Sequence, residues 1–221
     1  MTTSSTKTDD QLRRDVEAEL EWEPSVSANQ IGVAVRDGVV TLSGQVGSYW
    51  EKWNALRATE RVAGVRGVAN GIEVNLTDER TDSDIAGHVA NVLDWSSPIP
   101  RGQVKAEVED GWVTLRGEVD HDYQRRAVEH LMRHVGGVRG ITNTITVRPR
   151  ANPIDVKARI ETSFTRLSRV DASRLTVEGS GGEVTLRGSV QSWAERDEAE
   201  IAAYAAPGVW VVHNYLTVRE N

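Results

Sequence analysis

The stretch DGVVTLSGQV (residues 37–46) decides the fold, because nearly the same ten residues return twice along the chain. It reappears as DGWVTLRGEV (110–119) and as GGEVTLRGSV (181–190), offset by 73 and then 71 residues. Both offsets continue outside the stretch without gaps. The 221 residues are therefore three tandem units, at 8–79, 81–149 and 151–221.

Each unit has the pattern of the same five elements in the order αββαβ. A helix with apolar residues at every fourth position comes first, and two strands of alternating apolar and polar residues follow it. Asp37-Gly38 and Asp110-Gly111 join these strands, and such a dipeptide favours a two-residue hairpin turn because both residues need a positive φ. A second helix that ends at a glycine leads to a last alternating strand. We predict helices at 9–21, 48–62, 82–95, 121–135, 154–166 and 192–206.

The element order determines how each unit folds. A strand–helix–strand passage requires a parallel strand pair with a right-handed crossover, whereas the hairpin pair is antiparallel. Each unit is therefore predicted to be a three-stranded mixed sheet with both helices on one face, which places the chain in the α+β class. Gly44, Gly117 and Gly188 share one inward register, where a glycine leaves room for a closely packed helix or marks a bulge.

The composition excludes several classes of function. The chain has a formal net charge of −7 and no cysteine. We expect no nucleic-acid partner, because an acidic chain does not attract DNA or RNA. The lack of cysteine excludes disulfides, thiol catalysis and thiolate metal sites. The sequence contains no long apolar run, and its polar start MTTSSTKTDDQ has no secretory pattern, so we expect a cytoplasmic protein.

The αββαβ order, the GxVxLxGxV hairpin and the closing GVxxVxNxxxV stretch resemble the BON domain, and the likeness covers all three units. This resemblance implies an envelope or osmotic-stress protein that binds phospholipid. Members of the family often carry a signal sequence or a lipoprotein anchor, which makes the periplasm the alternative location. One relative that joins this domain to a LysM module binds potassium, so K⁺ binding is the alternative function.

No pattern in the sequence predicts catalysis, a cofactor or a metal site. His130 and His134 lie four residues apart on a predicted helix, with His121 just before it, and such spacing can bind a transition metal. The counterparts of His130 and His134 in the first unit are Arg57 and Arg61, so we interpret these positions as a solvated helix face. Neither a GxSxG motif nor a dinucleotide-binding loop is present, and we expect no enzyme.

Asn70, Asn143 and Asn214 occupy one register of the last strand, with the parity of residues that face the helices. A buried amide needs hydrogen-bond partners. We expect each asparagine to bond backbone groups in the preceding loop and to fix the strand register. The alternative is that its side-chain oxygen helps to hold a cation.

The choice of aromatic residue is unusual, with seven tryptophans against one phenylalanine. Trp22 and Trp95 are equivalent and close the first helices of two units, where we expect them to pack. The other five are Trp50, Trp53, Trp112, Trp193 and Trp210. None of these five has a tryptophan counterpart, and most of their counterparts are charged, which marks surface positions. Their indoles are predicted either to pack between units or to contact a protein partner or a membrane.

The leading hypothesis is a non-enzymatic binding or scaffold protein that contacts phospholipid or a protein partner through these indoles. The middle unit is the best candidate for the contact. It carries Arg125, Arg126 and Arg133 on one helix, and Trp112 at an outward position of a strand.

Overall fold

The computed structural model describes residues 7–76, 80–96, 99, 101–148, 174–180, 182–206 and 209–219. Its helices are α1 Asp9–Trp22, α2 Tyr49–Arg61, α3 Asp82–Trp95, α4 Asp122–Met132 and α5 Trp193–Tyr204. Its strands are β1 Ile31–Arg36, β2 Val39–Val46, β3 Gly67–Val74, β4 Val104–Glu109, β5 Trp112–Val119, β6 Gly140–Val147, β7 Leu175–Ser180, β8 Glu183–Val190 and β9 Val211–Val218. These helices confirm five of the six predictions, and the predicted helix at 154–166 lies outside the described residues.

The described strands form three sheets of three strands, each with the second hairpin strand in the centre. β5 pairs antiparallel with β4 and parallel with β6. β8 pairs in the same way with β7 and β9, and β2 lies between β1 and β3. The predicted α+β fold of three tandem units with mixed sheets is confirmed.

The helices cover one face of each sheet because their apolar stripes face the alternating apolar residues of the strands. Along α1 the predicted stripe of Leu12, Val16 and Leu20 is buried, and so is Leu42 of β2. In the second repeat one hydrophobic core joins α3 and α4 to the inner side of the sheet. Its buried residues include Ile85, Val89, Val113, Leu115, Val128 and Met132.

The hairpin turn is held by the first residue of the preceding helix. Asp37 and Gly38 have φ angles of 50° and 75°, as a turn with two positive φ angles requires. The Asp9 carboxylate accepts hydrogen bonds from both turn N–H groups, at 2.8 Å from Asp37 and 3.0 Å from Gly38. Asp82 accepts the same pair of bonds from Asp110 and Gly111, at 2.9 Å each. We call this arrangement the turn clamp.

The turn also binds the start of the last strand. The Gly38 carbonyl accepts a hydrogen bond of 2.9 Å from the N–H of Arg66, which lies just before β3. Gly111 with Arg139 (2.9 Å) and Gly182 with Trp210 (3.0 Å) repeat this bond. Helix, hairpin and last strand therefore meet at one two-residue turn.

Gly44, Gly117 and Gly188 make room for backbone, so the expectation of a close helix or a bulge is wrong. Their φ angles are 124°, 149° and 129°. A Cβ at Gly44 would overlap the carbonyl oxygen of Gln30. The same overlap would occur between Gly117 and Gln103, and between Gly188 and Arg174. The hairpin pairs residue by residue as far as Ile31 opposite Gly44. The chain entering the first hairpin strand therefore requires the glycine.

The chain divides into two compact units that do not follow the repeats. One contains residues up to 44, residues 54–72 and the described part of the third repeat. The other contains residues 45–53, the end of the first repeat from residue 73, and the second repeat. Among the described residues, no helix combines the length and the apolar composition needed to cross a bilayer.

The turn clamp gives a test of the fold. We expect Asp9→Ala to lower the free energy of unfolding by about 1–2 kcal/mol, because two backbone N–H groups lose a charged acceptor. Asp10→Ala is the matched control, since it removes the same charge from the next residue of α1 and should cost less than about 0.5 kcal/mol. Urea denaturation of both variants measures the difference, and equal losses would contradict a specific role of Asp9.

Candidate functional site

Trp112 begins β5 and lies on the outer face of the second sheet, opposite to the side that buries Val113 and Leu115. Its Nε1 donates a hydrogen bond of 2.8 Å to the Thr142 hydroxyl. The ring lies over Gly140, where a Cβ would overlap it. The side chain is still 48% exposed. One side of the indole is thus fixed on the sheet and the other is open to a ligand.

The same backbone position carries unrelated side chains in the other repeats. Val39 fills it in the first repeat and is 42% exposed. Glu183 fills it in the third repeat, where its carboxylate lies 3.8 Å from His213 Nε2. Because the fold accepts all three side chains here, it does not depend on the Trp112 indole.

Charges on the outer face of the second sheet occur in pairs of opposite sign. Arg116 lies 3.4 Å from Glu107, and both side chains are well exposed. Arg148 lies 3.3 Å from Glu118 and 3.1 Å from Asp120. The surroundings of Trp112 therefore combine one indole with charges of both signs, and Glu109 lies directly across the strand pair from it.

Trp50 and Trp53 are half-buried, and within one compact unit they pack α2 against α4. The Trp50 ring centre lies 4.2 Å from that of His134 and 5.8 Å from that of His130. Trp50 also stacks on Trp53 at 5.6 Å, and the Arg133 guanidinium lies 3.7 Å above the Trp53 ring. The sequence left two roles open for these indoles, packing between units or contact with a partner or membrane. The contacts of Trp50 and Trp53 are packing contacts between repeats.

Trp193 and Trp210 are also half-buried. Trp193 begins α5, and the Arg196 guanidinium lies 5.5 Å from its ring centre. Its indole N–H is buried and has no hydrogen-bond partner among the described residues. Trp210 lies just before β9 and donates its backbone N–H to the hairpin turn. Among the five tryptophans singled out above, Trp112 is therefore the most exposed in the described structure.

Trp22 and Trp95 do not pack, so the expectation for these two residues is wrong. They are 83% and 86% exposed at the last positions of α1 and α3. A sequence signal could have found them. Trp22 follows the buried Leu20 by two positions, which turns it about 200° around the helix from the buried stripe. Trp95 has the same relation to Leu93.

Comparison with family models matches the BON domain at residues 8–75, 81–149 and 155–220. The chain belongs to the BON domain family. It is also similar to the Osmotically-inducible protein Y of Escherichia coli, with 28% identity over 146 residues. The match covers 63% of this chain and 73% of that protein.

Two solved structures show a weaker likeness to this BON protein. CdsD, a structural protein of the type III secretion system of Chlamydia trachomatis, has 14% identity and a TM-score of 0.27, covering 93% of this chain and 91% of that one. The periplasmic domain of PrgH from S. typhimurium has 11% identity and a TM-score of 0.22, covering 91% and 99%. At such low TM-scores neither likeness bears on this chain.

The asparagines tie the last strand of a BON repeat to its second helix. Asn143 donates to the Arg125 carbonyl (3.2 Å) and to Glu129 Oε2 (3.1 Å), and its side-chain oxygen accepts from the N–H of Ile145 (3.2 Å). Asn214 makes the same three bonds, and Asn70 accepts from Ile72 in the same way. These bonds run to the second helix and to the residue two positions further along the strand, whereas we expected backbone groups of the preceding loop. Burial acts to raise the pKa of Glu129, but bonds from Arg133 and Asn143 lower it overall.

His130 and His134 of the second BON repeat are exposed, and their ring centres lie 5.1 Å apart. Their exposure agrees with the predicted solvated face, but His134 lies beyond the end of α4 at Met132, and both rings lie near Trp50. Among the described residues, no group of three or more His, Cys, Asp or Glu side chains is arranged to hold a metal ion. Partial burial lowers the pKa of His130, and the positive charges of His134 and Arg133 act in the same direction.

The lowered pKa of His130 predicts how stability depends on pH. The unfolded chain binds the proton more readily than the folded one, so stability falls as pH drops below the ordinary pKa of 6.5. We expect His130→Gln to reduce the loss of melting temperature between about pH 7 and pH 5.5. Glu129 does not interfere, because its pKa is lowered from 4.5 and its effect lies at more acidic pH. An identical pH dependence in both proteins would contradict this assignment.

Proposed function

We propose that this chain is a non-enzymatic binding protein of osmotic or envelope stress that contacts a phospholipid membrane surface through the outer face of its second sheet. The observation that carries the proposal is the half-exposed Trp112 indole on a face of paired charges. The likeness to a protein named Osmotically-inducible protein Y supports the link to osmotic stress. Its location stays a prediction, with the cytoplasm as the expectation and the periplasm as the alternative.

The chemistry of this face suits a bilayer interface. An indole has a large apolar body and one N–H donor, and tryptophan favours the boundary where one end of the ring is apolar and the other is wet. Here the N–H is already bonded to Thr142, so the exposed part of the ring can leave water without losing a partner. The carboxylates of the face slightly outnumber its cations, so the face suits a zwitterionic surface such as phosphatidylcholine better than an anionic one.

The test uses Trp112→Val, which installs the residue that the first repeat carries at the equivalent position. We expect binding to phosphatidylcholine vesicles, measured by co-sedimentation, to weaken about tenfold or more, as the loss of a central interface anchor does. The melting temperature should change by only a few degrees, because the fold accepts valine at this position.

Tyr215→Thr is the matched control. Tyr215 is an exposed aromatic residue of the third sheet, and threonine is its counterpart in the second repeat at Thr144. Vesicle binding should survive this change. If the wild-type chain does not sediment with vesicles of phosphatidylcholine, alone or mixed with phosphatidylglycerol, membrane contact is wrong and a protein partner remains the other hypothesis for this face.

The alternative of K⁺ binding is tested with the same protein. The side-chain oxygens of Asn70, Asn143 and Asn214 already accept strand N–H groups, so the proposal does not assign them to a cation. Melting temperatures in KCl and NaCl at equal ionic strength should therefore agree. A rise specific to K⁺ would favour the alternative, because a ligand that binds only the folded state stabilises it.

A further inference from the structure

We propose that the exposed C-terminal ends of α1 and of α3, at Trp22 and at Trp95, each bind an arginine- or lysine-rich polypeptide segment. These two sites, one in each compact unit, differ from the surface around Trp112, so this proposal and the previous one can fail separately. The exposure of the two indoles, 83% and 86%, leaves both ring faces available to a ligand. The occupant follows from the charge around them.

Each indole follows an exposed carboxylate. Glu21 precedes Trp22, and Asp94 precedes Trp95 at the equivalent position of the second repeat. The helices themselves are acidic: α1 holds six carboxylates and two arginines, and α3 holds three carboxylates and neither lysine nor arginine. In the third repeat the sequence has Thr165 and Arg166 at these two positions, so the pair of carboxylate and indole belongs to the first two repeats.

The helix ends add a second source of negative potential. The last carbonyl groups of a helix carry about half a negative charge, which attracts cations. Neither α1 nor α3 has a basic residue in its last turn to neutralise it. At α1, Arg61 binds Glu19 (2.8 Å) and Glu23 (3.0 Å), but Glu21 is not part of that network.

These features together select a cation. A guanidinium or ammonium group can lie over the face of an indole, while another basic residue of the same segment pairs with the neighbouring carboxylate and the helix carbonyls. The same charges repel the phosphates of an anionic membrane. A second copy of this chain is a poor occupant as well, because its formal net charge is −7. The chemistry therefore fits a basic segment of another protein.

The first experiment measures the affinity of a dye-labelled arginine–glycine peptide for the full chain by fluorescence anisotropy at low ionic strength. The double variant Trp22→Ala with Trp95→Ala keeps the net charge and removes both indoles. We expect it to bind the peptide about tenfold more weakly, with an unchanged melting temperature because both side chains are in water. Equal affinity of this variant and the wild type would overturn the proposal.

The second experiment separates local carboxylates from overall charge. Glu21→Gln with Asp94→Asn should weaken peptide binding about threefold or more. The matched control, Glu107→Gln with Glu109→Gln, removes two exposed carboxylates of β4. It should change the affinity for the peptide less than about twofold. If both double variants lose the same peptide affinity, the peptide is attracted by the net charge of the chain alone, and the proposed site is refuted.

A third measurement tests a membrane as the occupant. We expect Trp22→Ala with Trp95→Ala to bind phosphatidylcholine vesicles as the wild type does. If vesicle binding is lost while peptide binding is kept, the helix ends are membrane anchors and a basic partner is wrong.

Discussion

The first two repeats share one bond on which their structure depends, between the first carboxylate of a helix and the two N–H groups of the hairpin turn. Asp9 and Asp82 bring the start of a helix to a turn 28 residues further along the chain, and the carbonyl of that turn then binds the start of the last strand. This one point joins the first helix and the last strand to the hairpin turn. At the equivalent sequence position the third repeat has Pro153.

Much of this architecture could be predicted from the sequence because the chain contains three independent versions of it. Agreement between the repeats fixed the element order, the turn positions and the buried stripes, since an apolar position that recurs at 73 and 71 residues is rarely accidental. Contacts between repeats could not be predicted in the same way. The contact between the Trp50 and His134 rings depends on how two sequence-distant segments meet, and no periodicity within either segment encodes that meeting. Trp22 and Trp95 were misjudged for a simpler reason, because their angle around the helix places them away from the buried stripe.

The repeats differ from one another where function would lie. Position 112 and its counterparts carry an indole, an isopropyl group and a carboxylate on one unchanged backbone. Position 53 and its counterparts carry Trp53, Arg126 and Asp197, and each of these side chains makes a different contact. The third repeat pairs Asp197 with Arg57 of α2, whereas the first repeat uses Trp53 in packing against Arg133. A shared scaffold with divergent surfaces lets one chain present three distinct faces.

The glycine near the end of the second hairpin strand has a consequence for misfolding. A hairpin that slipped by one residue would bring Ser43 or Gln45 opposite the chain at Gln30, in place of Gly44. Either residue has a Cβ that would collide with the Gln30 carbonyl, and the slip would also turn every apolar side chain of the strand towards water. Steric exclusion and burial thus reject the same error independently. A chain that must form three nearly identical hairpins in succession gains from such a device, since each of the three hairpins can make the same slip.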